Sequence, residues 1–382
     1  MIGICNVVFG LPFVGLWNEV CLPSELSPSN VKALNSRGRA RYIIYTNQES
    51  ARFVEQCVRQ RGMRDHFDVD VNIFELNMKN GAHGAMTWSH QHCISHYKDK
   101  VEGLIFSSAD DCYHEGYYQQ VVDQAVAKGK ACITFAVRVS LSCLPDLEVE
   151  LKQGELSYEK AVSFLHRFIH PLHQDQVVER SHIRSRHPAV LFEYREEVLT
   201  MRGFHMHPMY VPARLLNVAF KDTIDGEFVE TVGRDRENYV VMGGVNAPFV
   251  LSLTPDSKYA DIHSDRRIDI KHILKWIFKN TNSIHKDFYV ENVFVTSLSR
   301  RVSAENMRDF SPQLTALQKV VERTARKPDE VLGCSRYSRP VVSTIRALTL
   351  YWSIARLREQ MRIRRRSAGA AARKNGHGPG PG

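Results

Sequence analysis

Short apolar runs alternate with amphipathic stretches through the first third of the chain. Runs at 4–9, 41–46 ("RYIIYT"), 69–76 ("VDVNIFEL"), 103–108 and 131–137 have the length and apolar continuity of buried strands. Between them, helical spacing recurs near 48–61, 84–98 and 114–128; in the last, Tyr118, Val121, Val122, Ala125 and Val126 fall on one face. Strands alternating with helices predict a mostly parallel sheet covered on both faces.

The pattern changes after a long helical segment, 158–178, which Pro171 interrupts. Shorter strand-like pieces follow ("HPAVLFEY", "RGFHMHPMYVP", "NYVVMGG", "FVLSLT"), predicting antiparallel additions to the same domain. Helical spacing returns over "RIDIKHILKWIFKN" and near 311–326. The expected organisation is an α/β domain over 1–265, a helical C-terminal region over 266–366 and a disordered Gly/Pro/Ala tail over 367–382.

Composition changes this picture in two places. The formal charge of +9 is concentrated at the C-terminus, where residues 356–382 hold eight Lys or Arg against one Glu. The remaining body is nearly neutral, which argues against a nucleic-acid groove on the folded domain. The apolar face of 341–357, with Trp352, followed by Arg356, Arg358, Arg362 and Arg364–Arg366, suits either an anionic membrane surface or packing on the domain with a solvated basic end. The eight cysteines are scattered without a C-x-x-C pair and read as reduced thiols. The apolar N-terminus lacks a basic region and a small-residue cleavage site. A cytoplasmic protein, held at the inner membrane surface through 341–366, is the expectation.

No G-x-G-x-x-G or P-loop glycine pattern occurs in the first half, so phosphate binding, if present, uses other means. Asp110 and Asp111 stand just past the strand 103–108, at the end of the sheet where open α/β proteins bind ligands. Two carboxylates there suit Mg²⁺ or Mn²⁺ carrying substrate phosphates, or they cap the following helix. His205 and His207 stand two apart in an extended segment, so their side chains leave one face; one ligand for both and separate structural roles are both open. Asp225, in "FKDTIDGEF", is a candidate general base beside an Asp-Gly turn signal. His92 and His96, at i and i+4, lack the glutamate of a zinc-protease helix and read as packing residues.

"SSADD" after a strand, with "LPSELSPSNVKAL" followed by "ARYIIYT", resembles bacterial glycosyltransferases of the GT-A type over roughly 4–255. The resemblance implies a GT-A-like, Rossmann-like sheet with flanking helices. It implies that Asp110 and Asp111 hold a cation binding the diphosphate of a nucleotide-sugar donor, with His205 or His207 completing the shell. Tyr45 and Thr46, ending an early strand, are expected to line the nucleotide pocket. The implied reaction is sugar transfer to a glycan or lipid-linked acceptor; a scaffold that kept the fold without catalysis, or a membrane-surface interaction protein, is the alternative.

Overall fold

The computed structural model describes residues 1–74, 81–179, 182–195, 197–204, 207–218, 220, 224, 228–281, 283–298 and 312–325. The basic segment 341–366, the tail 367–382, His205 and Asp225 lie outside these residues.

The alternating pattern folds as expected. Strands β1 (Ile2–Val7), β2 (Arg41–Asn47), β3 (Asp68–Phe74) and β4 (Gly103–Ser108) pair in parallel in the order β3-β2-β1-β4. Val7 lies level with Ser108 on one side and Tyr45 on the other. The helices Gln48–Gln60 and Gly81–Tyr97 make the return crossings. Asn47 caps the first of these, accepting the Ser50 amide at 3.1 Å. The stretch after β1 is helical from Leu11 to Glu25 and again from Pro28 to Leu34; Trp17, Val20 and Leu22 bury themselves against the sheet.

The remaining strands are the two-residue β5 (Asp111–Cys112), β6 (Ala131–Ser140), β7 (His182–Ser185), β8 (Val190–Arg195), β9 (Val198–Gly203), β10 (His207–Pro212), β11 (Tyr239–Met242), β12 (Gly244–Val245), β13 (Phe249–Thr254), β14 (His263–Asp269) and β15 (Phe294–Ser297), of which β5, β6, β10, β11 and β13 extend and curl the large sheet and β7 pairs with β14 apart from it. Beyond β4 the order continues β10-β6-β13-β5, with β10 antiparallel to both neighbours and β6 and β13 parallel. Because β5 follows β4 after only two residues yet pairs with β13, the sheet bends back toward β4. This is a curled, mostly parallel, Rossmann-like and GT-A-like sheet flanked by helices.

A smaller sheet, β12-β15-β9-β8, stands beside it. The C-terminal region is mainly helical (Ile270–Asn280, Ser283–Glu291, Pro312–Ala325), but it also contributes β15 to this smaller sheet, antiparallel to β9. Ile273, Leu274, Tyr289, Leu317 and Val321 pack with Ile183, Leu191 and Phe204 into one apolar cluster. No helix among the described residues is long and apolar enough to cross a membrane.

Candidate functional site

The strand order reverses between β1 and β4, so their carboxyl ends border the crevice in which such sheets take ligands. Here β4 ends at Ser108 and the chain turns through Ala109 and Asp110 into β5. The turn is pinned on both sides. Leu253 of β13 donates its amide to the Asp110 carbonyl at 2.7 Å, and the Ser108 hydroxyl donates to the Asp110 carboxylate. Asp110 is half-buried, whereas Asp111 is only 2% exposed. Burial, and then the charge of Asp110, push the Asp111 carboxyl well above its usual range; Arg138 and the Ser252 hydroxyl pull the other way.

Beneath the turn lies a buried polar network. The Glu25 carboxylate, fully buried, accepts Ser107 Oγ at 2.6 Å, the Tyr118 hydroxyl at 3.1 Å and the Tyr42 hydroxyl. Asn6 donates to Tyr42 at 3.3 Å and to Ser107 at 3.1 Å. The Tyr113 hydroxyl stands 3.1 Å from Ser107 Oγ and 3.5 Å from Asp111 Oδ2, joining the network to the aspartate turn. Burial raises the Glu25 carboxyl, and the three hydroxyl donors partly offset it. The network ties β1, β2, β4 and the helix Leu22–Glu25 together beneath Asp111, with Tyr113 as its link to that carboxylate.

On the far flank, Arg138 of β6 sits beside Ser252 of β13, which sits beside Asp111 of β5. Arg138 Nη1 donates to Thr254 Oγ1 at 3.1 Å, and the guanidinium lies 5.1 Å from the centre of the Tyr259 ring. His173 accepts the Arg138 amide through Nε2 at 2.9 Å, while its Nδ1 pairs with Gln176 at 2.8 Å. Burial lowers His173 to about 3, so it is a neutral structural group. His170 accepts the Leu172 amide and reaches the Pro255 carbonyl at 3.0 Å, clamping the ends of β6 and β13.

The residues singled out in the sequence fall as follows. Asp110 and Asp111 are adjacent at the carboxyl end of β4. His207 opens β10, which ends with Pro212 opposite Gly103, the first residue of β4; His207 therefore belongs to the aspartates' end of the sheet. Tyr45 and Thr46 are fully buried at the end of β2, and the Tyr45 hydroxyl is 2.8 Å from His92 Nδ1. His92 stacks on His96 at 3.8 Å and on Trp88 at 4.9 Å, an aromatic ladder along one helix. Glu25, Arg138, Ser252 and Thr254 were missed. Their signals were present: a lone arginine within "CITFAVRVS", and hydroxyls on alternate positions of "FVLSLT".

Among the described residues no group of three or more His, Cys, Asp or Glu side chains forms a metal cage. The aspartate pair fits a different mode, in which one or two carboxylates share a hard cation with substrate phosphates. Burial first, and then the charge of Asp110, hold the Asp111 carboxyl up; a cation held by the pair would oppose both effects. A separate cavity of about 500 Å³, lined by Val177, Val178, Glu179, Tyr194, Arg267 and Gln313, contains neither aspartate.

No family model matches the chain, and no curated protein matches it. Among solved structures it is similar to the inositol-1-phosphate CTP transferase from T. maritima, at 10% identity and a TM-score of 0.30, over 67% of this chain and 89% of that one. It is also similar to a protein described as a glucose-1-phosphate thymidylyltransferase from Bacillus anthracis, solved with sucrose. That alignment has 8% identity and a TM-score of 0.30, over 64% of this chain and 88% of the other.

Proposed function

We propose that the chain is a glycosyltransferase that moves a sugar from a nucleotide-sugar donor to a glycan or lipid-linked acceptor, with Asp110 and Asp111 holding Mg²⁺ or Mn²⁺. The observation that supports this best is the position of the pair: a pinned turn at the carboxyl end of β4, next to the strand-order reversal, with one carboxylate more accessible and the other linked to the network below. A bound divalent cation supplies charge neutralisation for a departing diphosphate. The chain's own residues supply the rest. In this reading the half-buried Asp110, held by Ser108, is the more accessible ligand, the Glu25 network supports Asp111 through Tyr113, and the buried Tyr45 and Thr46 brace the floor of the nucleotide side.

His207, with His205, is the proposed source of a further ligand, and Asp225 the proposed base for the acceptor hydroxyl. The basic segment 341–366 is the proposed contact with an anionic membrane surface.

The test is thermal melting of the full chain against UDP-, GDP-, TDP- and CMP-sugars, each with and without Mn²⁺ or Mg²⁺, repeated on Asp110→Ala and Asp111→Asn. A ligand that binds only the folded state raises Tm by mass action. The expected result is a cation-dependent rise with one nucleotide class that both variants abolish. No rise with any donor would favour a scaffold that kept the fold without catalysis.

A further inference from the structure

Arg138 is the only charged residue of β6, set between the buried Val137 and Val139. Its guanidinium is held on two sides, by Thr254 and by the face of Tyr259. Among the described residues no carboxylate lies within 4.0 Å of it. A guanidinium carries five N–H donors in a rigid fork, and the Thr254 contact uses one. Arg138 acts on Asp111 at a distance but forms no direct ion pair with it, so the half-buried fork is held in one orientation with room to take an anion.

The register says where that anion would sit. Partners on adjacent strands project to the same face, so Arg138, Ser252 and Asp111 form one row, the backbones of Arg138 and Asp111 about 10 Å apart across two strand spacings and the Arg138 charge acting on Asp111. The crevice between β1 and β4 lies on one flank of the aspartates, and Arg138 lies on the other. A group anchored on Arg138 therefore approaches the aspartates from the side opposite the nucleotide's crevice.

We propose that Arg138 anchors an oxyanion subsite for the acceptor, taking a phosphate or carboxylate that the sugar-accepting molecule carries. The acceptor assignment rests on the glycosyltransferase reading above; the anion site itself does not. Thr254 and Tyr259 fix the fork so that two N–H groups meet two oxygens of the anion together. Ser252, between Arg138 and Asp111, separates the acceptor's anion from the aspartate pair.

The experiment melts the full chain in EDTA against inorganic phosphate, with ionic strength held constant by chloride. Wild type, Arg138→Gln, Arg138→Lys and Thr254→Val are compared. Wild type should gain roughly 2 °C at ten times the apparent Kd. Arg138→Gln should show no gain, and Arg138→Lys should bind at least about tenfold more weakly because it loses the fork. Should Arg138→Gln fail to fold, Thr254→Val decides: it keeps the charge, frees its orientation and should weaken phosphate by about threefold or more.

A second arm repeats the phosphate titration at saturating UDP or GDP with Mn²⁺. Persistence of the phosphate response supports an acceptor subsite, and its loss by competition overturns that assignment in favour of the donor's diphosphate. An equal response in Arg138→Gln and wild type, or none in wild type, overturns the anion site whatever the nucleotide panel gives. A silent nucleotide panel with an Arg138-dependent phosphate response would leave the anion site standing and remove the glycosyltransferase reading.

Discussion

At the scale of single residues, the sheet depends on places where a side chain had to be absent. Gly103 opens β4, and the ring of Tyr210 from the neighbouring β10 lies directly over it. A Cβ at 103 would come within 2.5 Å of Tyr210 Cε2 and Cζ. These are ring atoms of a fully buried tyrosine, so they cannot swing aside. Gly103→Ala is expected to destabilise the chain by about 1–3 kcal/mol through overpacking, read as a lower denaturant midpoint. Gly103→Ala combined with Tyr210→Leu should recover part of that loss. If Gly103→Ala alone is neutral, β10 does not press on β4 as described. The same scale separates the two buried acids. Burial raises both carboxyls; three hydroxyl donors offset it at Glu25, whereas the charge of Asp110 adds to it at Asp111.

At the scale of elements, the helix Pro312–Ala325 shows how the C-terminal region is fastened. Glu193 of β8 accepts the amides of Gln313 at 3.1 Å and Leu314 at 3.2 Å, capping the helix from another element. Burial raises the Glu193 carboxyl to about 7, with those amides and Arg195 opposing the rise. The sign follows directly. The native state holds this proton at pH values where the unfolded chain has released it. The stabilising contribution is therefore complete below the ordinary glutamate range and is lost as pH rises through about 7. Glu193→Gln cannot ionise, so its stability relative to wild type should increase by about 1–3 kcal/mol between pH 5 and pH 8, measured by urea unfolding across pH. A difference that falls with pH would mean that attraction between the carboxylate and the helix terminus outweighs burial.

Elements also differ in how legible they are. The first four strands and β6 are six residues or longer and alternate with helices, so the length and spacing of the runs mark them. The two-residue β5 has no period to read, and its pairing with β13, 139 residues further on at Leu251–Cys112, is decided by the curl of the sheet. Proline does not break the segment after β1, because Pro12 and Pro23 each sit in the first turn of a helix, where proline is tolerated. The aspartate pair was legible because charge at the end of an apolar run stands out. Arg138 and Glu25 were visible as letters, but their meaning came only from neighbours distant in sequence.

At the scale of the whole molecule, the chain separates its tasks. The nearly neutral α/β body carries the aspartate turn, and the excess positive charge is placed beyond residue 356. Parallel strands β3-β2-β1-β4 make one side of the cleft end, and the curled β6-β13-β5 the other, so a two-substrate site can be built at their junction. Substrate charge would enter between Asp110 on one flank and Arg138 on the other. The central claim is that the aspartate pair binds a divalent cation together with a nucleoside diphosphate. Electron paramagnetic resonance of Mn²⁺ tests it directly, since the six-line signal of free Mn²⁺ disappears on binding. With UDP, GDP or TDP as co-ligand, wild type should deplete the free signal more than nucleotide alone does for one nucleotide, and both Asp110→Asn and Asp111→Asn should remove that excess. Equal depletion by wild type and both variants, or none beyond nucleotide alone, would contradict the account.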